Sequence, residues 1–162
     1  MALNAYLYLK GQKQGDIKGS VTQKGREGAI AVIAAQHEIF TPHDAASGLP
    51  TGKRMHKPYS VTKELDRSSP LLHQAMADNE NITVWKLQFF APGINGIEKQ
   101  NYTVELFNAS IADIRFVMPN NKHADLMSLN NYEEIEFTYQ KIQWTWLEGG
   151  LVASDSWEEP NV

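Results

Sequence analysis

Five histidines, His37, His43, His56, His73 and His123, are the side chains best suited to proton transfer or metal binding near neutral pH. Their spacing supports neither. His37-Glu38 is followed by His43, not by a histidine at the H-E-x-x-H interval, and the stretch reads as strand, without the helical i, i+4 geometry that zinc motif needs. Gly48-Leu49-Pro50-Thr51-Gly52-Lys53-Arg54 approximates a phosphate loop, but Pro50 interrupts it and Arg54 stands where the magnesium-binding Ser or Thr belongs. No G-x-S-x-G is present. The absence of cysteine removes disulfides, thiolate nucleophiles and thiolate metal sites. Glu134 and Glu136 share a strand face, and the Glu133, Glu134, Glu136 group reads as a solvated edge in preference to a hydrolytic pair. Lys53, Arg54, His56 and Lys57 form a basic patch that could take phosphate but better suits an acidic protein surface. Trp85, Trp144, Trp146 and Trp157 could stack a sugar or base; the first three fit buried strand positions, where core packing is the default. His73 reads as a surface residue of a helix. The reading is therefore no catalytic residue, no metal and no cofactor.

The elements that would position these residues are mostly strands. Alternation of period two marks Ala5 to Leu9, Asp16 to Thr22, Ala29 to Phe40, Tyr59 to Leu65, Ile82 to Phe90, Tyr102 to Met118 and Glu133 to Trp146. The middle of Ala29–Phe40 is apolar on both parities, which predicts cover on both faces. Thr83, Trp85, Leu87 and Phe89 are expected on one face of their strand. Tyr102–Met118 reads as one long strand or two joined by a bend. In the last strand Ile135, Phe137 and Tyr139 share one parity and Ile142, Trp144 and Trp146 the other, so a bulge near Gln140-Lys141 is expected to turn both sets inward. One helix is signalled by Ser69 as cap, Pro70 in the first helical position and the stripe Leu71, Leu72, Ala75, Met76, ending near Asp78-Asn79. Thr41 to Pro58 carries Pro42, Gly48, Pro50, Gly52 and Pro58 and reads as an irregular loop of about 18 residues, longer than compact domains usually hold. Asn120 to Asn131 reads as polar loop, and Gly149-Gly150 as a turn into a short tail.

The 162 residues, 42% apolar and 21% charged, suit a single globular domain spanning 1–162, and no linker divides them. A formal charge of −4 argues against nucleic acid as partner. Residues 1–63 hold 9 Lys/Arg against 4 Asp/Glu, a net of +5; residues 64–162 hold 6 against 15, a net of −9. Oppositely charged faces would suit head-to-tail association, although sequence halves need not map onto faces. No window reaches the ~20 apolar residues of a membrane helix. The N-terminus lacks a basic n-region and reads as a strand, so a cytoplasmic origin is expected, with any export by a route that needs no cleavable signal peptide.

Several segments, in chain order, resemble the Hcp (haemolysin-coregulated protein) family of type VI secretion. They are Asp16-Ile17-Lys18-Gly19-Ser20-Val21, Arg26-Glu27-Gly28, Thr51 to Pro58 running on into Val61-Thr62-Lys63-Glu64-Leu65-Asp66 and Ser68-Ser69-Pro70, and Tyr139 to Trp146 closed by Ser154-Asp155-Ser156-Trp157. Asn120 to Asn131 matches least. The resemblance, which extends to phage tail-tube proteins, implies a mainly β fold: an antiparallel β-barrel with one short α-helix on its side and a long extended loop. It also implies a non-catalytic subunit forming homohexameric rings that stack into a hollow, secreted tube. Its partners would be copies of itself, a spike at the tip, a contractile sheath with its baseplate, and effectors carried in the lumen. The loop, with Thr41, Asp44, Gly48, Gly52, Lys53, Arg54 and His56, is expected to reach a neighbouring subunit or ring. The turns near Gly25, Gly93 and Gly96, and the tail Ser154, Asp155, Ser156 and Trp157, are expected on the stacking faces. The residues alone leave two other readings: a stand-alone β-barrel binding a lipid or sugar in a lumen lined by Trp85 and Trp144, and a hydrolase using a surface histidine.

Overall fold

The structure, a computed structural model, describes residues 3–157. The elements in chain order are β1 (Asn4–Gly11), β2 (Gly15–Ile17), β3 (Ile30–Val32), β4 (Ala34–Gln36), β5 (Ile39–Phe40), β6 (Met55–His56), β7 (Tyr59–Glu64), α1 (Ser69–Ala77), β8 (Ile82–Pro92), β9 (Glu98–Phe107), β10 (Ser110–Val117), β11 (Tyr132–Thr138), β12 (Lys141–Trp146) and β13 (Leu151–Ser156). All strand pairings are antiparallel. A large sheet runs β13-β12-β9-β8-β1-β2, with β3 also on β1. A four-stranded sheet runs β10-β11-β7-β4, and β5 and β6 form a separate pair. The mainly β, barrel-like fold with one short helix is as expected.

Both sheets turn their apolar parity onto one core. Leu7, Leu9, Trp85, Leu87, Val104, Leu106 and Ile142 of the large sheet meet Tyr59, Val61, Ile111, Ile135 and Phe137 of the small one. Trp85 is 1% exposed, edge-on to both Tyr59 and Phe137. The indole that the ligand-barrel reading placed in a lumen thus fills the core.

Three stretches pass from one sheet to the other, the corner device of packed sheets: Ala29–Phe40, read as one strand, Tyr102–Met118, read as one strand or two joined by a bend, and Glu133–Trp146, read with a bulge. The stretch read as Ala29–Phe40 pairs with β1 as β3, bends at Ile33, and pairs with β7 as β4. Its middle is therefore not covered on both faces: Ile33, Ala34, Ala35 and Gln36 are exposed. β9 and β10 are separated at Asn108, whose φ of 52° breaks the strand, and the expected bulge at Gln140-Lys141 is the matching corner between β11 and β12. The corners bond each other, Gln140 N to Phe107 O at 3.1 Å and Asn108 Nδ2 to Gln140 Oε1 at 2.8 Å. Trp146, expected inside, is 42% exposed. Thr83 is exposed as well, because a register shift at Lys10/Gly11 takes it out of phase with Trp85 and Leu87. The Asp16–Thr22 strand ends at Ile17; Gly19 then passes so close to Ala29 and Ile30 that a Cβ would lie 2.4 Å from a carbonyl oxygen.

Helix α1 is capped one residue earlier than expected, at Ser68; the Asp66 carboxylate accepts from Ser68 N at 2.9 Å, and the Asp66 carbonyl accepts from Ser69 N, in the first turn, at 3.1 Å. Leu72 and Ala75 enter the core, whereas Met76 stays exposed. Beneath it lies Lys63, 0% exposed, with Nζ 2.9 Å from Glu133, 3.1 Å from Asp66 and 3.0 Å from Ser69 Oγ. Glu133, read as part of a solvated edge, is 1% exposed; Glu134 and Glu136 keep the outer face.

Candidate functional site: the root of a projecting arm

Residues 39–56 form an ordered two-stranded arm. β5 and β6 pair at its root, Ile39 with His56 and Phe40 with Met55. A bridge between His43 and Pro50 continues the pairing outward. The tip closes on Asp44, whose carboxylate accepts from Ser47 N at 3.0 Å and Ser47 Oγ at 2.7 Å. Those bonds hold the Asp44 carboxyl below its ordinary range. From Asp44 to Gly52 every residue is exposed. The segment expected as irregular loop is thus a built projection with no body of its own to cover it.

The root is tied to the C-terminal strand. Arg54 Nε lies 2.5 Å from Asp155 Oδ2 and Arg54 Nη2 3.0 Å from the Ser156 carbonyl; Lys53 bonds the Trp157 carbonyl. His56 Nε2 lies 2.7 Å from Asp155 Oδ2, and Trp157 stacks on the His56 ring at 5.5 Å. The basic patch therefore meets the acidic half of the sequence within one subunit. Burial pushes the Asp155 carboxyl up, but hydrogen bonds and charge from Arg54 and His56 outweigh it and hold the group low. The tail read after Gly150 is a strand, β13, turned back onto β12 by Gly149 and Gly150, with φ of 83° and 65°.

Two residues of this root were missed by sequence reasoning, which weighed His37 only as a metal ligand. His37 Nε2 lies 2.8 Å from Tyr139 Oη, and Tyr139 Oη lies 2.7 Å from His56 Nδ1. Tyr139 occupies the β11–β12 corner and is buried, which raises its phenol. The usable signal was a tyrosine at a predicted irregularity together with histidines at both ends of the long loop.

The remaining expected interface residues lie elsewhere. β12 pairs Lys141 with Ser156 at the arm's end of the large sheet and Trp146 with Leu151 at the other. Trp146 pairs with Tyr102, and the β8–β9 turn with Gly93 and Gly96 extends beyond that second end. Gly25 joins it there: its neighbour Arg26 lies over the Phe90 ring at 3.9 Å and bonds Glu98 at 2.7 Å. Gly25, Gly93 and Gly96 thus share one end of the sheet, and Ser154, Asp155, Ser156 and Trp157 share the opposite end with the arm root. Thr41, Asp44, Gly48 and Gly52 ride on the arm itself.

Among the described residues no three His, Asp or Glu side chains converge as a metal site, and no helix is long and apolar enough to cross a membrane.

Comparison with known proteins identifies the family and the fold. A family model described as "Type VI secretion system effector, Hcp" matches residues 6–146. The "Major exported protein" of Pseudomonas aeruginosa is 36% identical over 169 residues, covering 99% of this chain and 98% of that protein. A solved Hcp protein superimposes with a TM-score of 0.91 at 29% identity, covering 98% of this chain and 100% of the other. A variant of Hcp1 from E. coli EAEC 042 gives 0.85 at 34% identity over 96% and 99% of the two chains. Secreted Hcp3 of Pseudomonas aeruginosa gives 0.80 at 30%, over 98% and 100%. On the extent of these matches and the identity they reach along almost the whole sequence, the chain belongs to the Hcp family of type VI secretion proteins.

Proposed function

We propose that this chain is a non-catalytic tube subunit, one domain over 1–162, whose copies close into six-membered rings that stack into a hollow, exported tube. The observation that carries the reading is the small sheet: among the described residues β10 pairs with β11 and β4 with β7 and neither with a further strand, so the two outer strands, β10 with helix α1 beside it, leave backbone unpaired on opposite sides of one subunit. Open edges invite pairing with another chain. Joining the β10 edge of one copy to the β4 edge of the next is a head-to-tail contact, the kind that generates a ring when its rotation closes. Stacking needs a second such contact along the axis. The exposed arm at one end of the large sheet and the turns at the other supply two unlike faces for it.

Membership of the family supports a place inside the type VI machine, with a spike, a sheath and baseplate, and effectors in the lumen as partners. The name of the Pseudomonas aeruginosa relative supports export; assembly in the cytoplasm beforehand is part of the same proposal.

Because the chain has no cysteine, crosslinking tests the stacking directly. Asn95→Cys on the turn end and Ser154→Cys on the arm end, introduced together, should yield ladders of covalent multimers under oxidation. Each single variant should stop at dimers. Failure of the double variant to extend beyond dimers would remove these two ends from the stacking contact. Deleting Ala45 to Gly52 should leave a folded protein that makes no tubes; normal tubes after that deletion would take the arm out of the assembly.

A further inference from the structure

The root of the arm holds a chain of titratable groups that anchoring alone does not require. A carboxylate can only accept, so the proton of His56 sits on Nε2 toward Asp155, 2.7 Å away. The bare Nδ1 of neutral His56 then accepts from the Tyr139 hydroxyl at 2.7 Å, and the phenol oxygen accepts from His37 Nε2–H at 2.8 Å. Every polar atom between the three rings is satisfied. A first extra proton fits as well. On His37 it leaves the chain unchanged; on His56 it reverses the chain, with His56 Nδ1–H donating to Tyr139 and Tyr139 donating to His37.

A second proton does not fit. Both imidazoliums would then aim N–H at one oxygen, the phenol O–H would be left buried without an acceptor, and two like charges would flank it. Burial, and then the charge of His56, already hold His37 below the ordinary histidine range, against a smaller opposing contribution from the Lys57 backbone.

We propose that His37, Tyr139 and His56 form a proton-operated latch: it grips the root of the arm while no more than one of the two histidines is charged, and releases the arm when both are. His37 lies between β4 and β5, two residues before β5, and His56 ends β6, so one jaw stands at the base of each strand of the root. The other charged groups facing the latch come from several elements. Arg54 and Asp155 form a pair on the His56 side. Lys57 pairs with Glu38 in the open, 3.0 Å apart. Glu134 and Glu136 of β11 line the groove beside His37, and Tyr59 of β7 stacks on its ring at 4.8 Å. Histidine is the side-chain type whose ordinary pKa lies between neutral and mildly acidic pH.

The sign follows from proton count. The gripped state binds fewer protons than the released one, so grip is complete above the ordinary histidine pKa and falls as pH drops through the depressed value of His37. Through the reading of the arm as a stacking element, acidification would loosen tubes without unfolding their subunits.

Amide exchange on the full chain tests this. The reporter is Lys57 N–H, bonded to Glu38 O at 3.0 Å, with the β1–β8 amides as reference for the body. Protection of Lys57 should fall by about tenfold per pH unit below the onset while the reference amides hold, as the uptake of one proton on release requires. His37→Gln keeps an N–H donor for Tyr139 but cannot titrate, and should flatten the profile whatever level it takes at neutral pH once the stacking on Tyr59 is lost. A flat wild-type profile, a His37→Gln profile that falls like wild type, or loss of Lys57 and reference protection together would each overturn the latch. Tube length, followed by light scattering over the same pH range, is a separate readout. An arm that opens in acid while tubes persist upholds the latch and counts against the arm's place in stacking.

Discussion

Two appendages are fastened to this sandwich by buried polar groups, and they are fastened differently. Helix α1 sits on Lys63 and Glu133, both sealed from solvent and of fixed opposite charge, with Asp66 and Ser69 completing the shell. The arm is held by His56, Tyr139 and His37, rings joined by hydrogen bonds that can reverse, with the charged pair Arg54–Asp155 at the partly exposed margin. A sealed ion pair lets go only at the cost of leaving a bare charge inside, so the helix is a permanent part of the body. A chain of hydroxyl and imidazole breaks more cheaply and responds to pH, which suits a segment that must meet another copy. Permanence and adjustability are thus written into the choice of side chain at two otherwise similar junctions.

The largest effect should come from breaking the helix anchor. Lys63→Met strands the Glu133 carboxylate in the core and should cost about 3–5 kcal/mol, seen as a global drop in thermal midpoint. Next, Tyr139→Phe removes the shared hydroxyl and should cost about 1–2 kcal/mol. That loss should be concentrated at the arm, with faster exchange at Lys57 N–H and little change in the β1–β8 amides. If Tyr139→Phe lowers the thermal midpoint as much as Lys63→Met does, the distinction between the two junctions collapses. Asp155→Asn should loosen the same root while removing one pH dependence. The carboxyl is held low in the folded protein, so its contribution is complete above the ordinary carboxylate pKa and lost as pH falls through its depressed value. Exchange at Trp157 N–H, which bonds Gln140 O at 3.1 Å, reports it. The smallest effect belongs to Lys57→Ala: its pair with Glu38 is open to solvent on both sides and should be worth under about 0.5 kcal/mol.

Both anchors were partly legible in the sequence. Lys63 shares parity with Tyr59 and Val61, and Glu133 with Ile135 and Phe137, so two opposite charges stand at core positions of what prove to be neighbouring strands. Parity alone reveals their burial; that Lys63 and Glu133 are direct cross-strand partners needed the register. The arm was visible as a proline- and glycine-rich excess of chain. Its order was not, because the Asp44–Ser47 turn and the His43–Pro50 bridge are set by local geometry that composition does not encode. The corner at Ile33 defeated the reading of one strand, whereas the bend at Asn108 was one of the two readings of its stretch and a change of parity marked Gln140. A strand that changes sheets keeps its alternation on each side of the bend, so period two continues through a break in pairing. Trp146 was misplaced by the same continuity: β12 runs past the edge of the core, and its last residue emerges beside the turn.

The central claim is that the open edges of the small sheet and the bare arm are satisfied by sister copies of this chain. Sedimentation of the purified full-length protein near neutral pH, with negative-stain imaging of the same sample, tests it most directly. Ring-shaped particles of about six times the 18.2 kDa chain are expected. A compact monomer that persists as concentration rises would contradict it.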